Sequence, residues 1–475
     1  MTENLIMYGS TILAVAIIIY MLIKKMDIKI ALFSIGTVLI LISIGMGHEI
    51  AFPDFESTGS LLLDPLQVIV QQFKDTFVQA GLIILMLGGY TAYMSSIGAN
   101  DVTVQVLTKP INKIKSVYIL VPVVFLLGNL LSLVIPSAST LAILLLATLY
   151  PVLKQAGMSV LSIAAIIATS ATIIPTPLGS DNVAVAEEFA KYAAFADMSV
   201  SDYVFNYHAA VSIPSLLFIA IIHYFWQKRM DKKSVTVTSD EQMEVTEVEK
   251  VKSGKLYKTV YAILPIFPII LLLISFILDL AAGITFSISV EIAVVASVII
   301  SIICELIRHK GDKAVLANTE KFFEGMGRAI PIVSLIVAAS VFVTGLKSIG
   351  LIDALQSTMQ NFHGQGLNFI LPLILVLFTA LIVLLSGSGI ALFFAMVPLM
   401  VPLAEAAGIS PIAISVPMGL AGNLFRAVSP VAPVVLIIAG TLKIEPLDII
   451  KRTSVPMIAG IVCMFMFILS MIFFL

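Results

Sequence analysis

Two charged residues stand out because they lie in stretches that are otherwise apolar enough for the interior of a membrane. Arg426 follows an apolar run near 410–423, and Asp181 follows one near 159–174. The planar guanidinium of arginine matches a carboxylate with two parallel hydrogen bonds and is costly to bury without a partner. A carboxyl group at membrane depth is a natural place for a proton to bind and leave. The two residues therefore indicate carboxylate recognition at Arg426 and proton coupling at Asp181.

Both charges also have a structural interpretation. Arg426 and Asp181 can form an ion pair across the site. Asp181 can also belong to the N-cap of a helix over 183–194, because Ser180, Asp181 and Asn182 are all good capping residues. The sequence alone leaves these alternatives open.

Small polar residues interrupt two further apolar stretches, near 135–140 and 385–389. Helices that begin at such tips direct unpaired N–H groups and the positive end of the helix dipole inward, where an anion can bind. Serine and threonine hydroxyls at the tips add donors, although each of them can equally be a helix cap.

The candidate site residues all come from these four breaks. The candidates for substrate binding are Ser137, Ser139, Thr140, Thr176, Ser386, Gly387, Ser388, Asn423, Arg426 and Ser429. The candidates for ion coupling are Asp181 and Asn182. Asn423 has the alternative role of satisfying unwound backbone.

Motifs for enzymatic chemistry are missing from the sequence. A membrane-embedded hydrolase that uses Ser137 or Ser386 is disfavoured, because no histidine lies near any of the breaks. The histidines also have no Cys, Asp or Glu partners at metal-ligand spacing. No P-loop, dinucleotide fingerprint or HExxH motif occurs. We expect no enzyme activity, no metal and no cofactor beyond a coupling proton or sodium ion.

The composition explains what must position these residues. The chain has 475 residues, of which 59% are hydrophobic and only 12% charged, and its mean hydropathy is +1.09. Such a chain is expected to face lipid over most of its surface. The net charge is −2 and the basic residues sit in short loops, so we expect membrane lipid and no nucleic acid as a partner.

Polar breaks at membrane depth must be buried in protein or line a wet cavity, and paired breaks in two halves are typical of secondary transporters. Basic loops mark the cytoplasmic side. They predict five crossings and one re-entrant hairpin in each half of an all-α polytopic fold. The odd number of crossings makes the second half an inverted copy of the first. The predicted domains are a first repeat over 1–226 (hairpin 117–153, broken helix 159–194), a charged cytoplasmic linker over 227–258, and a second repeat over 259–475 (hairpin 368–404, broken helix 410–441).

A short sequence echo supports the repeat. Ser96-Ile97-Gly98 recurs as Ser348-Ile349-Gly350, at nearly the same offset as the hairpins. One tripeptide alone carries little weight, but its agreement with the hairpin and broken-helix offsets makes coincidence improbable.

Longer stretches are similar to a known family. They include Ser96–Asp101, His223–Gln227, Asp231–Lys233 and Lys451–Pro456. On these residues the chain resembles the DcuC family of anaerobic C4-dicarboxylate carriers over nearly its whole length. The resemblance implies a homodimer in the bacterial cytoplasmic membrane that transports succinate, fumarate or malate by an elevator movement of hairpins and broken helices.

Two alternatives keep the fold and change the cargo. One is an amino-acid exchanger, because the broader family contains such carriers. The second tip, Ser386–Gly389, also departs from the sequence expected in the enteric carrier of the DcuC family. The other is a cation/proton antiporter. A cation site would need clustered carboxylates at the breaks, whereas Asp181 is the only acid there.

Overall fold

The computed structural model describes residues 2–24, 26–53, 55–114, 116–173, 175–233, 254–282, 288–354 and 369–474. Within these ranges every regular element is a helix and no strand occurs. The prediction of an all-α fold is confirmed for the described part of the chain.

The described part of the first half contains twelve helices, counting only α-helical segments. They are α1 (Thr2–Ile23), α2 (Ile28–Gly45), α3 (Asp64–Thr76), α4 (Leu82–Ser96), α5 (Ala99–Thr108), α6 (Val117–Leu131), α7 (Ala138–Thr148), α8 (Tyr150–Gln155), α9 (Val160–Ala168), α10 (Ser180–Phe189), α11 (Val200–Asp202) and α12 (Ala209–Lys233). A π-helical turn, Phe77–Gly81, joins α3 to α4, and a second, Tyr203–His208, joins α11 to α12.

The described part of the second half continues the numbering. Its helices are α13 (Lys255–Ile263), α14 (Phe267–Ala282), α15 (Val290–Arg308), α16 (Ala314–Asn318), α17 (Glu320–Ser348), α18 (Ile370–Ser386), α19 (Ile390–Ala407), α20 (Ile412–Arg426), α21 (Pro433–Leu442) and α22 (Pro446–Phe474).

Eight segments of the described chain are long and apolar enough to cross a membrane. They are Ile28–Gly45, Asp64–Ser96, Val200–Lys233, Lys255–Ala281, Val290–Arg308, Ala314–Ser348, Ile390–Ala407 and Pro446–Ser470. A helix needs roughly 20 apolar residues to cross the hydrocarbon core. The length and apolar character of these segments confirm the prediction of a multi-pass membrane protein.

The helices beside the predicted breaks of the first half are shorter. Helices α6 and α7, which flank the first predicted tip, have 15 and 11 residues, and α9 and α10 have 9 and 10. Proline and glycine explain the interruptions, because proline supplies no N–H to a helix and glycine adopts conformations that end one.

Both ends of the predicted linker over 227–258 are helical. Helix α12 runs on through Lys233, and α13 begins at Lys255. At the charged end of α12 the acid, Asp231, has a buried partner, Arg452 on α22. The middle of the predicted linker, 234–253, lies outside the described residues.

Helix α17 forms the centre of the fold and packs closely against α2 and α4. A Cβ on Gly88 would lie 2.9 Å from the Gly325 carbonyl oxygen, and a Cβ on Gly36 would lie 2.8 Å from the Phe342 backbone. Such approaches are possible only without side chains, which is how small residues bring membrane helices together.

The packing also fixes the relative direction of these helices. Gln72 donates to Thr344 over 3.2 Å, and a Cβ on Gly81 would lie 3.2 Å from the Val333 side chain. Residue numbers therefore rise along α3 and α4 as they fall along α17. The two segments are antiparallel.

Candidate functional site

Two adjoining cavities lie where the breaks of both halves meet. The larger has a volume of about 660 Å³ and the smaller about 130 Å³. Pro136, Ser180 and Ile332 line both of them, so the smaller cavity opens from the larger. The walls come from α4, α5, α7, α10, α17, α19 and α20, which belong to both halves of the chain.

Three of the predicted residues, Asp181, Asn423 and Arg426, line the smaller cavity. Residues from the starts of two helices, Ser180 of α10 and Ile390 of α19, lie beside them. Their helix N-termini carry unpaired N–H groups and partial positive charge. The smaller cavity therefore brings a cation and two helix N-termini to one place, with one carboxyl group beside them.

Arg426 ends α20 and is half-buried. Its Nη2 donates a hydrogen bond to the backbone carbonyl oxygen of Ala171, which lies in the break between α9 and α10. This carbonyl has lost its helical partner, so the arginine satisfies it. A guanidinium has five N–H donors, and this bond leaves others to face the cavity.

Asp181 lies in the first turn of α10 and is half-buried. Its Oδ1 accepts a hydrogen bond from the Asn182 N–H at 3.0 Å. The carboxyl group folds back over Gly179, where a Cβ would lie only 2.6 Å from that oxygen. Glycine is therefore required at this position for the observed carboxyl placement.

The structural alternatives for the two charges were an ion pair between them and an N-cap role for Asp181, and neither is seen in the described residues. Within the described residues, Asp181 and Arg426 make no ion pair at 4.0 Å or less, although each side chain feels the other's charge. The N-cap of α10 is Gly179, which caps through no side chain, so Asp181 stands inside the first turn of the helix.

The first hairpin tip faces the larger cavity through Ser137 and Thr140. Ser137 is also the N-cap of α7, because its Oγ accepts from the Thr140 N–H at 3.3 Å and from the Thr140 hydroxyl at 3.0 Å. The predicted capping alternative thus applies to Ser137 without removing it from the cavity. Ser139 lines neither cavity.

The second tip is arranged differently. Ser386, Gly387 and Ser388 line neither cavity, whereas the next two residues, Gly389 and Ile390, line the smaller one. The Ser386 hydroxyl lies within donating distance of the Ile382 carbonyl, at 2.8 Å, and of the Ser388 carbonyl, at 2.9 Å. It also accepts from the Ser388 N–H at 3.3 Å, so its bonds stay within the helix end and the tip. The structure does not bring these three predicted residues to the cavities.

Gly387 and Gly389 nevertheless shape the second tip. Gly387 has φ +80, and a Cβ there would lie 2.5 Å from the Val431 carbonyl oxygen. A Cβ on Gly389 would lie 3.0 Å from the Cα of Gly422. The tip therefore packs directly against α20 and against the break that follows it.

The remaining three predicted residues, Thr176, Asn182 and Ser429, are buried and support the breaks. Asn182 Nδ2 donates to the Thr176 carbonyl at 3.0 Å, and the Ser429 hydroxyl donates to the Leu384 carbonyl at 3.1 Å. None of the three lines either cavity. They satisfy backbone groups that the breaks leave without helical partners.

Sequence reasoning missed three charged residues on α17 that line the larger cavity. Lys321 Nζ lies 2.8 Å from Glu324, and Arg328 lies 3.8 Å from the same carboxylate. The three side chains leave one excess positive charge at the mouth. Their spacing of three and four residues along one helix was a usable signal in the sequence.

The described residues offer no candidate metal centre. No group of three or more His, Cys, Asp or Glu side chains that could hold a metal ion occurs among the described residues.

Comparisons with known proteins agree with this architecture. Residues 8–473 match the family model described as DcuC, C4-dicarboxylate anaerobic carrier. The chain is 37% identical to the anaerobic C4-dicarboxylate transporter DcuC of Escherichia coli K12 over 91% of this chain and 89% of that protein. It is 35% identical to a probable DcuC of Vibrio cholerae, over 91% and 90% respectively.

Two solved transporters share the fold. The YdaH transporter of Alcanivorax borkumensis has a TM-score of 0.63 at 17% identity, covering 93% of this chain and 98% of that one. MtrF of Neisseria gonorrhoeae has a TM-score of 0.57 at 16% identity, covering 94% and 95%. The family match spans nearly the whole chain, and its relatives are transporters and not enzymes. This multi-pass membrane protein belongs to the DcuC family of anaerobic C4-dicarboxylate carriers.

Proposed function

We propose that this protein carries C4-dicarboxylates, with succinate, fumarate and malate as expected substrates, across the bacterial cytoplasmic membrane. The observation that carries the proposal is the convergence of Arg426 and the N-termini of α10 and α19 on the smaller cavity. Each of these groups favours a carboxylate, and together they compensate for the hydration that a dianion loses there. The family relationship supports the same substrate class.

Asp181 gives the proposed site a route to ion coupling. Its carboxyl group lines the same cavity as Arg426, so an ionised Asp181 would repel an incoming dianion. A proton on Asp181, or a sodium ion beside it, would remove this repulsion. Substrate binding would then be linked to binding of the ion.

The helix positions support an inverted repeat. Helices start at Ala138 and Ile390 and again at Val160 and Ile412, and each pair lies 252 residues apart. The glycines that follow α4 and α17, Gly98 and Gly350, are also 252 residues apart, and both are left-handed.

The direction of equivalent helices supports inversion as well. Because α4 and α17 occupy equivalent places before these glycines yet pack antiparallel, the two halves would have opposite orientations in the membrane. In the proposed elevator cycle, α2, α4 and α17 belong to the static scaffold, and the hairpins and broken helices move. We expect a homodimer, as the family resemblance implies.

The two ends of α17 support an inward-open state. At its N-terminal end, Lys321 and Arg328 line the larger cavity, whereas at its C-terminal end Lys347 donates to the Tyr192 hydroxyl at 3.4 Å. Glu188 and Glu405 also attract the Lys347 charge, whereas Lys191 repels it. Basic loops assign the first end to the cytoplasm. The cavity is thus open inward, and the outer end is held by polar contacts.

The test is transport by purified protein in proteoliposomes. Labelled succinate should enter by exchange against internal succinate, fumarate or malate, and sodium and proton gradients should be varied separately. Arg426→Ala should abolish exchange, whereas Lys313→Gln, which removes an exposed cation away from both cavities, should not. Exchange of amino acids without dicarboxylates, or unchanged flux in Arg426→Ala, would overturn the proposal.

A further inference from the structure

A strongly basic surface lies at the C-terminal end of α12, away from both cavities. Lys228, Arg229, Lys232 and Lys233, together with Phe225, line a shallow cavity of about 440 Å³. We call these five residues the basic face. Arg229, Lys232 and Lys233 are exposed, and Lys228 is half-buried with its Nζ 5.8 Å from the centre of the Tyr118 ring.

The acid of the same segment is turned away from the basic face. Asp231 pairs with Arg452 at 2.5 Å, and their side chains are only 13% and 2% exposed. Asp231 also accepts a hydrogen bond from Ser159 at 2.7 Å. Among the described residues, none of the four cations has a carboxylate within 4.0 Å. Within the part of the chain that the structure describes, the burial of Asp231 therefore leaves four positive charges without a nearby counter-charge.

The basic face continues an exposed apolar row of α12. Leu217, Ile221 and Phe225 are 50%, 55% and 61% exposed, and they are spaced four residues apart. Side chains at this spacing form a row that is inclined to the helix axis, and Arg229 and Lys233 continue the row. In a membrane-spanning helix, such exposed apolar side chains face lipid tails. The row thus passes from apolar to cationic, as an anionic phospholipid passes from tail to headgroup.

The cations also lie at two heights along the helix. Lys228 and Arg229 form one pair, and Lys232 and Lys233 form a second pair one turn further, about 6 Å along the axis. Lysine and arginine both bind phosphate oxygens well. A headgroup with two phosphates can engage both pairs at once, whereas a headgroup with one phosphate engages a single pair.

We propose that the basic face is a binding site for an anionic phospholipid with two phosphates, of the diphosphatidylglycerol class. The lipid tails lie along Leu217, Ile221 and Phe225, and its phosphates lie between the two cation pairs. Basic residues beside the cytoplasmic end of a membrane helix are where anionic headgroups gather. This inference is independent of the proposed transport substrate.

The test measures lipid binding to the full-length, delipidated protein by native mass spectrometry. Diphosphatidylglycerol, phosphatidylglycerol and phosphatidylethanolamine are titrated separately. We expect diphosphatidylglycerol to bind about tenfold more tightly than phosphatidylglycerol, with no saturable binding of phosphatidylethanolamine. The variant Lys232→Gln/Lys233→Gln should bind diphosphatidylglycerol about tenfold more weakly than the wild type.

A matched control removes two exposed cations elsewhere. Lys310→Gln/Lys313→Gln should leave lipid binding unchanged. Phe225→Ser keeps the charges and removes an apolar contact, so it should weaken lipid binding. Inorganic phosphate should not compete with the lipid for the basic face. Equal losses in both double variants, equal affinity for the two anionic lipids, or full competition by inorganic phosphate would overturn the proposal.

Discussion

The guanidinium of Arg426 donates a hydrogen bond to the backbone carbonyl of Ala171, so the cation of one broken helix satisfies the interruption of the other. The contact joins residues from the two halves of the chain at the smaller cavity. Arg426 therefore has a structural partner and a free binding surface at the same time.

This double use predicts that lysine cannot replace Arg426. A lysine keeps the charge but lacks the planar fork that serves the carbonyl and a substrate carboxylate together. We expect Arg426→Lys to lower the rate of succinate exchange at least about tenfold, since a lost charge-assisted hydrogen bond costs about 1.5–3 kcal/mol. Exchange in proteoliposomes measures the effect, with Lys313→Gln as the control. A near-normal rate in Arg426→Lys would show that the fork is unnecessary.

Gly387 supplies a second prediction, on stability. Its φ of +80 and the 2.5 Å approach of the Val431 carbonyl oxygen leave no room for a methyl group. The left-handed conformation alone costs an alanine about 1–2 kcal/mol, and the clash adds to it. We expect Gly387→Ala to lower the thermal unfolding midpoint clearly. Gly327→Ala should not, because Gly327 is exposed on α17 and a methyl group there would meet no atom within 4 Å.

The Lys347–Tyr192 contact leads to a third prediction, on the conformational equilibrium. If polar contacts at the outer end of α17 stabilise the inward-open state, Lys347→Gln should shift the population outward. The measurement uses Thr140→Cys, in the larger cavity, with Cys304 and Cys463 replaced by alanine. Labelling by an impermeant maleimide from the cytoplasmic side should slow severalfold, as expected for a coupling of about 1–3 kcal/mol. Unchanged labelling would contradict a role for this contact, and Lys310→Gln provides the control.

The buried Arg452–Asp231 pair leads to a fourth prediction. Removing one partner leaves a charge without compensation, which typically costs about 3–5 kcal/mol. We expect Asp231→Asn and Arg452→Met to destabilise the protein strongly. The double variant should be less destabilised than the sum of the two single variants, as chemical unfolding in detergent can measure. Strict additivity would mean that the two side chains do not interact.

The same pair shows where sequence reasoning reached its limit. The breaks near Ser137, Asp181, Ser386 and Arg426 were predictable, because proline, glycine and polar residues interrupt the apolar pattern of the sequence there. The partner of Asp231 is 221 residues away, so its local surroundings looked like a solvated linker. Hydrophilic composition predicted a linker, whereas in the structure this end is helical and carries a long-range ion pair.

The roles of individual hydroxyls had a similar limit. Ser137 and Ser386 occupy equivalent tips in sequence, yet only Ser137 lines a cavity. The counterpart of Ser137 at the offset of 252 residues is Gly389, which lines the smaller cavity, whereas Ser386 lies three residues earlier. At this second tip Gly387 packs against the Val431 carbonyl. Such packing depends on tertiary contacts that composition and spacing do not record.

Asp181 leads to the last prediction, which separates substrate binding from ion coupling. Asparagine has nearly the same shape as aspartate but carries no charge and takes up no proton. If protonation of Asp181 admits the dianion, Asp181→Asn should mimic the protonated form. Exchange of succinate for succinate should then continue, whereas accumulation driven by a proton gradient should be lost. Glu187→Gln changes an acid of the same helix that lines neither cavity, and it should leave both activities intact. Proton-driven accumulation that survives in Asp181→Asn would exclude this carboxyl group as the coupling site and direct attention to a sodium ion instead.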